Sequence, residues 1–457
     1  MNKIAIIGGG AFGTAIAQQL SLNPYNSISL FVRSEEQSAE INHQRTNKKY
    51  FLNYRLNSNI VSVTDFKTLT EYNIVFLALP SSCINSYEEV FLHYLKKDCL
   101  IINLTKGLLN NGVTIYDYFR LTLKIENFVS LKGPSFSVEV IGNNATLLTL
   151  GYKDYRQIEL IRRLFSASNF YFDYTTDING VEYLSALKNI YAIYMGNIDG
   201  KFNSNNSKYF ILTQCIKEIN ILLKYLNCNP NTNNLGCGIG DLCLTSLSDL
   251  SRNRTLGLII GKGFFNPDDS KNVVVLEGVK TLSLLKSILN PNLFSKLPIL
   301  NSLYSFFNKK DSSYLNVDFE VLLRQKFKTV LTYGTFDLFH YGHLEILKRA
   351  KDYGDKLIVG LSSDEFNLLK GKVCEFDFLK RKEYLESLDF VDLVISEDNW
   401  EQKLQDVKNY NVDYFVMGDD WQGKFDYLAE FCEVIYLPRT KGVSTTQLKQ
   451  LMTNNDE

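Results

Sequence analysis

No apolar run in this chain approaches the roughly 18 residues that a membrane-spanning helix needs. The opening Met1-Asn-Lys-Ile-Ala-Ile-Ile7 is too short in its apolar part for a secretory signal, and Gly8-Gly9-Gly10 breaks it. Eight cysteines occur, yet none stands in CxxC spacing, which argues against a disulfide framework or zinc site and for thiols in a reducing compartment. Neither sign of charge is in excess. Lys and Arg number 49 against 50 Asp and Glu, a net −1, so general nucleic-acid binding is disfavoured and phosphate recognition must be local. The expectation is a soluble cytoplasmic protein that uses neither membrane nor nucleic acid. Its 457 residues are too many for one ordinary core and predict two or three domains.

Histidine is also scarce, four in the whole chain, and two of the four fall in Tyr333-Gly-Thr-Phe-Asp-Leu-Phe-His340-Tyr-Gly-His343. An apolar run, Thr329 to Leu331, enters this stretch, and an amphipathic pattern (Leu344, Leu347, Ala350) leaves it. Strand, tight turn and helix follow from that order, with two imidazoles placed where a helix would set them on one face. The arrangement suits phosphate handling, but the chain already opens with another such site. Lys3–Ile7 reads as a buried strand, and Gly8-x-Gly10-x-x-Gly13 leads from it into a helix. Gly8 permits the tight turn, Gly10 lets the backbone approach a pyrophosphate, and Gly13 allows close helix packing. After a second strand, Ser27–Val32, stands Arg33, which suits a 2′-phosphate and tilts the cofactor toward NADP(H) over NAD(H); Glu35 and Glu36 follow closely.

Further strands are expected at Asn73–Leu79, Cys99–Asn103 and Phe128–Leu131, each followed by a loop of special residues. From about Gly180 the apolar period becomes helical, through Val181, Leu184, Leu187, Ile190 and Ile193. The sequence motifs in this half are Thr105-Lys106-Gly107, Gly133-Pro-Ser135-Phe, Leu187-Lys188-Asn189, Gly240-Asp241-Leu and Ser251-Arg252-Asn253-Arg254. Together with Gly8–Thr14 they resemble the NAD(P)-dependent glycerol-3-phosphate dehydrogenases of bacteria, over roughly residues 3–305. The resemblance implies that Lys188 is the catalytic lysine, with Lys106 and Asp241 beside it. It implies a cofactor side formed by Gly8, Gly10, Ala11, Phe12, Gly13, Arg33, Lys106, Ser137, Arg252 and Glu277. Substrate phosphate and carbonyl would meet Lys106, Gly133, Ser135, Lys188, Asp241, Ser251, Arg252 and Asn253. The chemistry fits the residue types: hydride addition to the ketone of dihydroxyacetone phosphate makes an alkoxide, which an ammonium stabilises and protonates. Two stretches depart from the family's pattern. Thr213-Gln214-Cys215 stands where Thr-Arg-Gly is usual, and Lys132 replaces a small hydroxyl before Gly133.

Between Phe307 and Phe327 the pattern changes to a linker, and from Lys328 strands and helices alternate as in a small doubly wound unit. Its runs Tyr333–Leu338, His340-x-Gly-His343, Ser363–Leu368, Asn399–Lys403, Val416–Trp421 and Leu437–Thr446 resemble glycerol-3-phosphate cytidylyltransferase over residues 328–452. By that resemblance Thr335, Phe336, His340, His343, Lys372 and the loop Arg439, Thr440, Gly442, Ser444, Thr445 and Thr446 face CTP. Lys370 and Lys403 would hold glycerol 3-phosphate, and Mg2+ would arrive with CTP, Asp337 and Asp420 being candidates to influence it. A phosphate nucleophile is already anionic, its second pKa being about 6, and needs no base, so the site must supply cations and hydrogen bonds. Lys370, Lys372, Lys403, Arg381 and Arg439 offer the cations. Ser444-Thr-Thr-Gln447 also has the spacing of a helix capping box.

The whole predicts an α/β chain: a Rossmann domain over 1–179, an all-helical substrate domain over 180–306, a linker over 307–327, and a Rossmann-like nucleotidyltransferase domain with HxGH over 328–457. Its expected action is reduction of dihydroxyacetone phosphate to glycerol 3-phosphate, then conversion with CTP to CDP-glycerol for a teichoic acid or capsule-type polymer. A homo-oligomer is expected. The alternatives are a silent first half that only binds NAD(P) or organises an oligomer beside an active transferase, and a different polyol phosphate as acceptor.

Overall fold

A computed structural model describes residues 1–265, 277–308, 315–319, 322 and 328–438. The chain divides into two compact units, Met1–Leu322 and Leu323–Glu457.

The first unit is built on a sheet of β1 (Asn2–Ile7), β2 (Asn26–Phe31), β3 (Ile60–Val63), β4 (Ile74–Leu77), β5 (Leu100–Asn103), β6 (Phe128–Lys132), β7 (Thr146–Gly151) and β8 (Phe170–Thr175). Their order is β3-β2-β1-β4-β5-β6-β7-β8, parallel except where β7 runs antiparallel to β6. Burial on both faces explains the near-continuous apolar strands. In β1, Ile4 and Ile6 enter one core cluster while Ala5 and Ile7 enter another on the opposite face. β1 lies between β2 and β4, so the chain order reverses there, and a crevice opens at the carboxyl ends of these strands. The Gly8–Gly13 turn sits in that crevice.

Helices then take over. Ile178–Phe202 runs 25 residues, capped by Asp177, whose side chain accepts from the Gly180 amide at 2.9 Å. It is buried on nearly every side because Asn205–Tyr225, Asp241–Leu247, Arg252–Gly261 and Glu277–Ile288 pack around it. At its crossing with Arg252–Gly261 the backbones nearly touch. A Cβ on Gly257 would lie 2.0 Å from the Ile193 carbonyl oxygen. The stretch expected to be linker contributes Leu315 and Leu322 to this helical core, and Phe319 packs on Phe202 and Phe210. Those residues belong to the first unit because they are apolar and find cover there. Helix Pro298–Asn308 likewise runs past the expected boundary at 306.

The second unit holds β9 (Thr329–Gly334), β10 (Lys356–Ser362), β11 (Leu393–Glu397), β12 (Tyr414–Gly418) and β13 (Glu433–Leu437), all parallel, in the order β11-β10-β9-β12-β13. Here too the first strand is central and feeds the reversal point. Val330 and Leu331 enter separate clusters on the two faces. The capping-box stretch at 444–447 lies outside the described residues.

Candidate active sites

At the first reversal point, Gly8 has φ +118°, and a Cβ there would lie 2.5 Å from the Ala78 carbonyl oxygen. A Cβ on Gly13 would fall 2.0 Å from the Gly8 carbonyl oxygen, so that glycine sets how closely helix Ala11–Leu20 approaches the strand. Gly10 differs: nothing lies within 4 Å of its Cβ position. Its neighbourhood is the open cradle that a pyrophosphate needs, at the N-terminus of that helix. Gln37 and Asn47 brace the turn by donating to the Gly9 carbonyl at 2.7 and 3.2 Å, and Asn47 also donates to the Thr14 hydroxyl at 2.9 Å. Nothing in the spacing of the motif pointed to either. Arg33 is exposed just beyond β2, and Ser137 opens helix Ser137–Ile141, which packs on Ala11–Leu20. Gly10→Val is expected to raise KM for the dinucleotide at least about tenfold while unfolding stability moves by no more than about 0.5 kcal/mol. Gly13→Ala should instead lower the unfolding temperature. Dinucleotide titration beside thermal melts checks both.

Lys106 leaves β5, Lys188 comes from the middle of Ile178–Phe202, and Asp241 opens Asp241–Leu247 after a π-helical turn over Gly236–Gly240. The three meet. Lys188 Nζ lies 2.5 Å from Asp241 Oδ1 and donates to the Thr245 hydroxyl at 3.0 Å; Lys106 Nζ lies 3.3 Å from Asp241 Oδ2. Lys188 is buried, and that burial, helped by the Lys106 charge, pulls its ammonium below the ordinary lysine value against the pull of Asp241. Lys106 is partly open and sits 5.9 Å from the centre of the Phe12 ring, which joins it to the glycine turn. Glu277 accepts from the Asn189 amide at 3.4 Å, and Asn189 accepts from Asn253 at 3.0 Å. Burial raises the Glu277 carboxyl above its ordinary value. Ser251 caps helix Arg252–Gly261 by accepting from the Arg254 amide. Arg254 is buried against Asp199 and Asp249, whereas Arg252 is exposed. The Gly133–Ser135 turn, closed by the Ser135 hydroxyl donating to the Gly133 carbonyl at 2.9 Å, abuts Gly240 through Pro134. An ammonium pair sharing one carboxylate, beside an open dinucleotide cradle, can stabilise and protonate an alkoxide.

In the second unit, Phe336 and Leu338 take φ of 47° and 45°, a conformation L side chains rarely adopt. That bend lays Phe336 against His343, with ring centres 5.3 Å apart. His340 caps helix Tyr341–Lys351, its Nδ1 accepting from the Gly342 amide at 3.1 Å, which leaves Nε2 to carry the proton. The two imidazoles stack at 3.8 Å between ring centres. Burial first, then the His340 charge, holds His343 down at about 4, and burial lowers His340 as well. Both shifts favour the neutral rings.

Two residues offered by the sequence have other work. Arg381 is buried and donates to the carbonyls of Thr335, Ser362 and Phe376 while pairing with Asp364 at 2.6 Å. Its guanidinium shapes the loop rather than facing a ligand, because three carbonyls at strand and loop ends need a donor there. Asp337 is buried and accepts from the Glu375 and Phe376 amides at 3.0 and 3.2 Å, so its oxygens fix that loop. Asp420 is exposed in the 3-10 turn Asp419–Trp421. Among the described residues no three His, Cys, Asp or Glu side chains converge to hold a metal.

Lys370 and Lys403 meet on a residue the sequence reading missed. Glu397, the last of β11, lies 3.3 Å from Lys370 Nζ and 2.5 Å from Lys403 Nζ, and it accepts from the Ser362 hydroxyl. Lys370 also bonds to the Ser362 hydroxyl at 2.7 Å. Lys403 is buried against Tyr333 and Trp400, its Nζ 4.6 and 4.8 Å from their ring centres. Thr335 bonds to Asn367, and Lys372 is exposed on the turn that follows. The sequence-predicted loop of Arg439, Thr440, Gly442, Ser444, Thr445 and Thr446 lies outside the described residues.

Comparison with known proteins follows the same division. Residues 3–158 match the N-terminal model of the NAD-dependent glycerol-3-phosphate dehydrogenases, 177–315 the C-terminal model, and 331–451 a cytidylyltransferase-like model. A glycerol-3-phosphate dehydrogenase [NAD(P)+] of Methanothermobacter thermautotrophicus is 31% identical over 316 residues, 69% of this chain and 96% of the relative. A glycerol-3-phosphate cytidylyltransferase of Bacillus spizizenii is 61% identical over 127 residues, 28% of this chain and 98% of the relative. The chain belongs to both families, as a fusion of the two. The dehydrogenase half also shares its fold with a solved glycerol-3-phosphate dehydrogenase of Plasmodium falciparum, at TM-score 0.63 and 22% identity, over 71% of this chain and 95% of that one. The α/β class and the helical C-terminal part of the dehydrogenase half are as expected, and the cytidylyltransferase half carries the expected parallel sheet.

Proposed function

We propose that the dehydrogenase half reduces dihydroxyacetone phosphate to sn-glycerol 3-phosphate and that the cytidylyltransferase half joins this product to CMP from CTP. The observation that carries the reading is the convergence of Lys188 and Lys106 on the buried Asp241 beside the open Gly10 cradle. Bound NAD(P)H supplies the hydride. Lys188 stabilises the alkoxide formed at the former ketone and delivers the proton, Asp241 fixes the ammonium, and Arg252 with Asn253 holds the substrate phosphate. In the second half a phosphate oxygen of glycerol 3-phosphate bonds to the α-phosphorus of CTP while the bond to pyrophosphate breaks. Lys370 and Lys403 grip the acceptor, and the Nε2–H groups of His340 and His343 steady the CTP phosphates. Magnesium would arrive with CTP and offset charge on the leaving pyrophosphate. CDP-glycerol then serves a teichoic acid or capsule-type polymer.

The same reading includes a cytoplasmic home, supported by cysteines that are all free, and assembly as a homo-oligomer, testable by light scattering. Among the described residues no helix is long and apolar enough to cross a membrane. Arg33, exposed beyond β2, favours NADP(H), so Arg33→Asp should move the ratio of kcat/KM for NADPH over NADH at least about tenfold toward NADH, as two or three charge-assisted bonds would. The alternative of a silent first half is disfavoured by the intact lysine–aspartate constellation. A single vessel of protein, dihydroxyacetone phosphate, NADPH, CTP and magnesium tests the whole. CDP-glycerol must appear, and its absence when glycerol 3-phosphate alone does yield it sinks the dehydrogenase assignment.

A further inference from the structure

Behind the dehydrogenase constellation lies a third lysine that the proposed chemistry does not use. Lys132, the last residue of β6, is wholly buried, and its Nζ donates to the Asn103 carbonyl at 2.7 Å. Asn103 ends β5, and its side-chain oxygen accepts from the Thr105 amide at 2.9 Å, one residue before Lys106. The Asn103 amide group donates to Glu182, which also accepts from the Ser130 hydroxyl at 2.9 Å and the Tyr116 amide at 3.0 Å. Glu182 lies 3.9 Å from Lys132 Nζ and stands on the same helix as Lys188.

A buried ammonium costs several kcal/mol to desolvate unless it is paired and hydrogen-bonded. Here Glu182 supplies the counter-charge at a distance too long for a hydrogen bond, while the short bond goes to a backbone carbonyl. Charge compensation alone does not explain that choice. The Asn103 carbonyl belongs to the last residue of β5 paired with β6, and a carbonyl oxygen has two lone pairs, one of which Lys132 takes. We infer that Lys132 is a positioning residue: through the Asn103 carbonyl it fixes the Thr105–Gly107 loop, and with it Lys106, against Asp241. Where the family has a small hydroxyl, this chain has built a charged strut.

The charged and titratable groups that face Lys132 are Glu182 from the long helix, Lys106 from the loop, Asp241 from its helix and Cys237 from the turn before it. Burial brings the Lys132 ammonium down to about 8, still protonated near neutrality.

The inference rests on the dehydrogenase reading, and wild-type NADPH oxidation with dihydroxyacetone phosphate is the control that separates them. No wild-type rate would sink that reading. With it active, Lys132→Met should lower kcat at least tenfold while KM for NADPH stays within twofold and CTP turnover by the same chain is unchanged. The double variant Lys132→Met/Glu182→Gln removes both charges and keeps one amide oxygen to accept from Asn103 and Ser130, while the bond from the Tyr116 amide is lost. It should recover part of the melting temperature without recovering kcat, and it decides alone if the single variant does not fold. Recovery of kcat in the double variant would overturn the inference by making Lys132 a mere counter-ion, and so would an unchanged kcat in Lys132→Met.

Discussion

Lys188→Met is expected to lower kcat for dihydroxyacetone phosphate reduction by about 10³-fold or more, since in the proposed reaction it removes both the alkoxide's charge partner and its proton source. Methionine keeps most of the buried volume, so the packing of the long helix survives. Losing one half of a buried ion pair commonly costs about 3–5 kcal/mol, but Asp241 retains Lys106 at 3.3 Å and is not left alone. The cost in stability should therefore fall below that range. Burial and the Lys106 charge already hold Lys188 below the ordinary ammonium value, so it gives up its proton more readily than a surface lysine would. Coupled assays tell the two halves apart. With dihydroxyacetone phosphate, NADPH and CTP the variant should make no CDP-glycerol; added glycerol 3-phosphate should restore it fully. If added glycerol 3-phosphate fails to restore it, the defect is not confined to hydride transfer and the division of labour is wrong.

How far the sequence carried this reading depended on whether a residue's job was local. The glycine turn, the strand before it and the helix after it were legible because each rule acts within a dozen residues. The central strands read well too, since burial on both faces makes them continuously apolar. β3, β7 and β8 escaped notice. β3 carries the exposed Val61, and β8, at the sheet edge, carries the exposed Tyr171, so neither reads as a continuous buried run. β7 follows the short helix Ser137–Ile141 and joins the sheet antiparallel, a reversal that the alternating βα rhythm does not announce. Lys188, Lys106 and Asp241 are far apart in sequence, and only the family resemblance placed them together. Glu397 was invisible for the opposite reason. A glutamate ending a strand looks like an ordinary surface charge until two lysines from other elements are seen to close on it. Arg381 and Asp337, whose charge suggested ligands, are engaged by backbone groups, which spacing alone does not reveal.

His343→Ala is expected to reduce CTP turnover about 10²–10³-fold, the usual effect of removing one preorganised donor to a developing charge. The ring's surroundings make the argument. It is wedged between Phe336 and Phe339 and stacked on His340, so its orientation is fixed before any ligand arrives. Its Nδ1 finds no hydrogen-bond partner among the described residues. With a value near 4, it stays neutral across the physiological range, and the free enzyme's rate should be flat between pH 6 and 8 as far as this group decides it. A step near 6.5 that vanished in His343→Ala would show instead that the charged ring is the working form. Phe336 holds its rare φ partly by packing on this imidazole, so alanine also loosens the loop. His343→Asn keeps a donor at shorter reach and should retain more activity than alanine if the hydrogen bond is what matters. In the single vessel, His343→Ala should oxidise NADPH at the wild-type rate while glycerol 3-phosphate accumulates and CDP-glycerol does not form. That pattern, the mirror of Lys188→Met, would assign one step to each cluster; loss of both steps in either variant would mean the halves do not act independently.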